Sequence, residues 1–231
     1  MSGDEIVKFN SIAGVPIRYA RKDGTVPPAP PYGTLGTTVR HVSCRADFRD
    51  KIAAFLADLA RVCPYGMPSA LVCGSFMGGR KSGMHAEGRA VDIDAVWWGD
   101  PYVTGLDRPK PFPVITYYAD QDARRYLAIE ATLRRHFGTV LGWWYNAKHK
   151  DHWHCDDSSP VGFNPRSTQR ALFVQLALTH VLGWPVAVDG KYGPQTETGV
   201  ASVMGESIYF DLEPIDGWVA FLSAVESAGW R

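Results

Sequence analysis

Two short stretches far apart in the chain carry histidines and acids that a single cation could join. That pairing limits the available folds more than any other feature. The first is Ser82-Gly-Met-His-Ala-Glu-Gly-Arg-Ala-Val-Asp-Ile-Asp94. His85 sits in a Gly-rich turn with Gly78, Gly79 and Gly83, and Val91 to Val96 alternates apolar and acidic side chains as a strand does. The alternation turns Asp92 and Asp94 to one face and Val91 and Ile93 to the other. Gly88 lets the chain fold back, so that the His85 ring can reach the Asp92 carboxylate. The second stretch is His149-Lys-Asp-His-Trp-His154. A strand there puts His152 and His154 on one face, with Trp153 and Cys155 on the core face. His85, Asp92, His152 and His154 then share one polar surface, and zinc takes imidazole and carboxylate ligands of this kind. Asp94, facing the same way as Asp92, is a candidate outer partner for a ligand histidine.

Taken together, HAEGRAVDI and HKDHWHCD resemble the extensin-like C-terminal domain, within the wider group of zinc peptidases that includes lysostaphin, the D-Ala-D-Ala peptidases and the hedgehog fold. Phe137-Gly-Thr-Val-Leu-Gly142, followed by Tyr145-Asn-Ala, is similar to that family's approach to its last zinc ligand. The spacing of His149, His152 and His154 resembles the murein endopeptidase branch. Asp151 with His154 matches the acid-x-x-His pattern of the D-Ala-D-Ala branch. The resemblance covers residues 41 to 158 or so and implies His85, Asp92 and His154 as the metal ligands. It further implies metal-assisted amide hydrolysis, with Asp151 the first choice of base and His149 and His152 its competitors or partners for the oxyanion. Arg80 is the candidate cation for the substrate carbonyl or a peptide carboxylate.

Charge is balanced, with 24 basic and 24 acidic residues and no basic block, which argues against nucleic acid as a partner. No long apolar run follows Met1-Ser-Gly-Asp-Glu, so neither a signal peptide nor a membrane span is expected. The four cysteines, Cys44, Cys63, Cys73 and Cys155, lack Cys-x-x-Cys spacing and are read as buried thiols or as one or two disulfides. Extensin-like domains often carry disulfides, which by that resemblance makes Cys44 and Cys73 candidate members.

Along the chain, residues 1–40 form an arm and a Pro-rich connector, Val26-Pro-Pro-Ala-Pro-Pro. Residues 41–159 form an α+β unit. Its first helix runs over Ala46 to Val62 on the stripe Phe48, Ile52, Phe55, Leu56 and Leu59. Strands are expected at Ala70 to Ser75, Val91 to Val96, Val140 to Trp144 and His152 to Cys155, with a second helix over Gln121 to His136. That helix buries Tyr126, Ile129, Leu133 and Phe137 and ends in Arg134, Arg135 and His136, where cations suit the dipole. The Pro- and aromatic-rich loop from Trp97 to Val114 is read as a substrate wall or as packing.

A linker at 160–167 leads to a small all-α unit over 168–231. Its loop Val188-Asp-Gly-Lys-Tyr-Gly-Pro-Gln-Thr196 resembles the signature of the peptidoglycan-binding three-helix domain. The two resemblances imply one polymer, bacterial peptidoglycan, cleaved by a zinc-dependent, endolysin-like hydrolase. Such a monomer would be made in the cytoplasm and released through a holin pore or carried in a virion. The alternatives are a wall-binding protein with a structural zinc and a D-Ala-D-Ala carboxypeptidase.

Overall fold

The computed structural model describes residues 5–18, 41–76, 82–99, 112–116, 119–205 and 209–231. The Pro-rich connector, Arg80 and most of the Trp97–Val114 loop lie outside these residues.

The described residues are mixed α+β, as the sequence pattern predicts. The strands are β1 (Ile6–Phe9), β2 (Ser11–Ile12), β3 (Val15–Arg18), β4 (Val42–Arg45), β5 (Ala70–Ser75), β6 (Ala90–Trp98), β7 (Phe112–Ile115), β8 (Thr139–Leu141) and β9 (Trp153–Asp156). The helices are α1 (Ala46–Val62), α2 (Ala123–Arg134), α3 (Thr168–His180), α4 (Pro194–Val203) and α5 (Ile215–Gly229).

The main sheet runs β2-β3-β5-β6-β9-β8, with β7 also paired to β6, while β1 and β4 form a separate antiparallel pair. Strands β2 and β3 are a tight hairpin, turned by Ala13 at φ 50° and Gly14 at φ 82°. Two successive positive φ values give the turn a twist that matches that of its strands. β3 then runs parallel to β5, while β6 is antiparallel to β5, β7 and β9.

Helix α1 forms over the residues its apolar stripe predicts. Phe48, Ile52, Phe55, Leu56 and Leu59 are all fully buried. Its first turn is steadied by Asp47, whose carboxylate accepts from Phe48 N at 2.8 Å and Arg45 Nε at 3.2 Å. The chain leaves the helix at Cys63, in extended conformation before Pro64. Phe48 meets Phe137 with ring centres 5.5 Å apart, and Tyr126 of α2 stacks on Trp153 of β9 at 4.4 Å. Helices α1 and α2 thus cover the sheet face that buries Val91, Ile93, Trp153 and Cys155.

Helix α2 departs from the one-sided pattern expected of it, since every residue from Tyr126 to Arg134 is buried. Its other side is covered by α3 and α5. Arg134, 3% exposed in its side chain, pairs with Glu130 at 2.7 Å, and Arg135 pairs with Glu226 of α5 at 2.8 Å. His136 is not a capping cation either. Its Nε2 meets Asp58 Oδ2 of α1 at 3.0 Å, and burial lowers its pKa by more than the Asp58 charge raises it.

All four cysteines are buried thiols outside any disulfide, including Cys44 and Cys73, the candidate members of one. Burial raises the Cys44 thiol to about 12 against the opposing effect of Arg49. One apolar cluster runs from Ile12 through the sheet to Val225, so α3, α4 and α5 share a core with the sheet. No described helix is long and apolar enough to cross a membrane.

Candidate metal centre

On its polar face the sheet brings the two predicted stretches together by register. In the β6–β9 pairing Asp92 lies opposite His154, so the carboxylate and the ring leave neighbouring strands on the same side. His85 reaches them from the 3-10 turn Gly83–His85, which Gly88 links to β6 at φ 69°. A Cβ on Gly88 would sit 3.0 Å from Arg45 N, so the fold-back needs glycine for space as well as for conformation. The outer end of β9 is fixed by Asp157, which accepts from Arg89 Nε at 2.7 Å and also pairs with Lys51 of α1.

His85, Asp92 and His154 each offer a ligand atom, and these atoms lie within 4.8 Å of one another. Asp92 Oδ1 is 3.1 Å from His85 Nε2 and 2.9 Å from His154 Nδ1. A tetrahedral zinc site with bonds of 2.0–2.1 Å has ligand-to-ligand edges of about 3.3 Å, so the cluster is close to the size such a cation needs.

The outer nitrogens are engaged as well. His85 Nδ1 donates to the Phe76 carbonyl at 3.1 Å, and His154 Nε2 faces Asp156 Oδ2 at 2.9 Å. Each ring therefore turns its other nitrogen inward, the arrangement that orients metal-binding histidines. Asp156 is itself anchored by Ser158, through the backbone N–H at 2.9 Å and the hydroxyl at 2.5 Å.

The electrostatics agree with the geometry. Burial raises the Asp92 carboxyl, but hydrogen bonds from His154 and His85 outweigh it and hold the group well below the usual carboxylate range. Burial likewise opposes charge on His154, yet its bonds to Asp156 and Asp92 push its pKa up to about 9. The cluster is thus a partly buried pocket in which carboxylates hold His154 in its charged form, with two imidazoles and a carboxylate directed inward. That donor set suits zinc.

Beside the three lies a pair. Asp151 Oδ1 is 2.8 Å from His152 Nδ1, and His152 Nε2 is 3.7 Å from Asp92 Oδ1. The hydrogen bond from His152 holds Asp151 below its ordinary pKa, so Asp151 is a carboxylate that orients the ring. His149 completes the rim, its ring centre 5.2 Å from that of His152 and 6.1 Å from that of His154. Burial and the neighbouring His152 and His154 lower it to about 4, so it is neutral near pH 7.

Arg80, the remaining candidate, lies outside the described residues. Asp94 lies against Gly74, where a Cβ would come 2.8 Å from its Oδ1, and the outer position expected of it is filled by Asp156. Asp156 is not among the residues the two motifs single out, although the sequence carries its signal. Alternation carried one step past Cys155 puts His152, His154 and Asp156 on one face.

The turn carrying these residues rests on the core. Tyr126, fully buried in α2, accepts from Trp143 N at 3.0 Å, and Gly142 leaves room for its hydroxyl. Trp98 packs against Trp230 at 5.6 Å and donates to the Gly66 carbonyl at 3.0 Å, which makes it a packing residue.

Neither the curated proteins nor the solved structures contain a match to this chain. Residues 54–163, which hold every member of the cluster, match the family described as Extensin-like protein C-terminus, and the site-bearing part of the chain is similar to that family.

Proposed function

We propose that the protein is a zinc-dependent peptidoglycan peptidase that hydrolyses an amide of the peptide stem or cross-bridge. The observation that carries this reading is a three-ligand cluster, His85, Asp92 and His154, with the Asp151–His152 pair beside it on the same face. A purely structural metal has no use for such a pair, whereas hydrolysis needs a proton carrier next to the metal.

Held there, a zinc ion would supply a Lewis acid for the amide carbonyl and a water of lowered pKa. The other tasks fall to the chain. Asp151 accepts the Nδ1–H of His152, which in the neutral ring makes Nε2 the acceptor, turned toward the cluster. His152 takes the proton that the attacking water gives up and returns it to the leaving amine. Asp151 keeps the ring in place and steadies its charged form. This makes His152 the base and Asp151 its orienting partner, within the set of roles the resemblance leaves open.

Peptidoglycan is the substrate implied by the resemblance to wall-cleaving peptidases and by the Val188–Thr196 loop. An endolysin-like enzyme released through a holin pore or carried in a virion fits both. The test is digestion of purified peptidoglycan by the protein as isolated, with and without a chelator, followed by mass spectrometry of the fragments and assay of bound metal. New amino groups on wall peptides, lost on chelation and restored by zinc, are the expected result. Free D-Ala as the sole product would indicate a carboxypeptidase, and wall pelleting with no released amino groups would indicate a binding protein.

A further inference from the structure

The 3-10 turn Ala147–His149 is capped by Asn146, whose Oδ1 accepts the Lys148 N–H at 2.8 Å. The same Oδ1 lies 2.8 Å from His149 Nδ1. The Lys148 N–H establishes which end of the amide is oxygen, and an amide oxygen only accepts. His149 Nδ1 therefore carries a proton. In a neutral imidazole the other nitrogen is then a bare acceptor, and His149 Nε2 has no hydrogen-bond partner among the described residues. The ring stands at the rim of the metal site, against His152 on one side and the half-exposed Tyr145 on the other, with ring centres 5.2 Å and 5.7 Å away.

Resting on the hydrolase reading, we propose that Asn146 is a positioning residue: it fixes His149 as the Nδ1–H tautomer, so that Nε2 accepts an N–H of the bound peptide. Histidine in water favours the proton on Nε2, and a ring in that form would offer a donor to this edge of the site. The cap reverses the polarity. The ligand suited to the rim is a peptide segment presenting an amide or amine donor there, and a carbonyl in the same place would meet a lone pair.

The test uses the full chain labelled with ¹⁵N-histidine, His149 being assigned by the resonances lost in His149→Gln. The wild type should give a protonated Nδ1 and an unprotonated Nε2. Asn146→Ala should shift the proton toward Nε2 with bound metal unchanged, whereas Asn146→Asp, whose carboxylate also only accepts, should keep it on Nδ1. For a soluble stem peptide, KM should rise roughly two- to tenfold in Asn146→Ala with kcat little changed, and return toward wild type in Asn146→Asp. Protonated Nε2 in the wild type, or an unmoved tautomer in Asn146→Ala, would overturn the proposal. So would a fall in kcat at constant KM, which would make His149 a proton carrier instead. If the wild type cleaves no wall peptide, the hydrolase reading fails separately. Calorimetric affinity for the same peptide then replaces KM, and equal affinity in wild type and Asn146→Ala would overturn the proposal.

Discussion

His154 is gripped from two sides, by Asp92 at Nδ1 and by Asp156 at Nε2, and the two contacts should fail differently. On the proposed reading His154→Ala removes a zinc ligand and is expected to abolish both zinc binding and turnover. Asp156→Ala leaves three ligands but frees the outer N–H, and should weaken zinc about ten- to hundredfold. Asp151→Ala and His152→Ala should keep the metal and lose turnover. Metal content by plasma mass spectrometry, read beside the rate on a soluble stem peptide, separates these cases. Equal zinc loss in all four variants would mean that Asp151 and His152 hold the ion and are not the proton pair. Period-two alternation makes the facing of Asp92, His152 and His154 legible in the sequence, whereas His85 rests on the fold-back at Gly88 and the choice of His154 over His152 on the family resemblance. It does not reveal that Asp151 points at His152, since neighbouring residues on an extended chain normally diverge. Here the pair meets at the turn that leads into β9.

At the scale of elements, the β8–β9 turn depends on a hydroxyl from the core. Tyr126→Phe would leave Trp143 N–H without its acceptor and is expected to cost about 1–3 kcal/mol by denaturant unfolding. A second test concerns the α1–α2 contact. His136 is held below its ordinary value of 6.5, chiefly by burial. The unfolded chain therefore takes up a proton there first as the pH falls. The stability this group contributes is complete above pH 6.5 or so and is lost as the pH drops through its lower folded value. Thermal melts of wild type and His136→Gln between pH 7.5 and 5 or so should converge on acidification, and parallel curves would show that the ring's protonation is not linked to folding. Helix α1 could be read from its stripe because its buried residues fall along that one side. Helix α2 could not, because Glu130, Thr132 and Arg134 look like a solvated face until α3 and α5 arrive from later in the chain to bury them.

For the molecule as a whole, the question is whether the helices from Thr168 onward only tether the sheet unit or help to hold it. Arg134 donates to the Gln169 carbonyl at 3.0 Å and lies 4.7 Å over the Phe173 ring. Arg170 donates to the carbonyls of Gly138 at 2.8 Å and Pro160 at 2.6 Å, tying the segment after β9 to the start of β8. Arg124 at the head of α2 donates to the Ala228 carbonyl at 2.6 Å, and Glu226 accepts from Thr132 at 3.0 Å as well as from Arg135. Ending the chain at residue 167 would strip α2 of that cover and leave Arg134 and Arg135 with fewer partners beside newly exposed apolar surface. Returning one large apolar side chain to water alone costs about 1.5–3 kcal/mol, a large share of a typical domain's stability when several are uncovered together. The truncated protein should therefore melt well below the full chain, with faster hydrogen exchange along α2. Its rate on a soluble stem peptide should fall together with its attachment to walls, because α2 carries Tyr126 and, through it, the turn that presents His149 and His152. A fragment with native melting and an undiminished soluble-peptide rate would mean that the shared core is dispensable and that the helices act by tethering, raising local substrate concentration without touching the site.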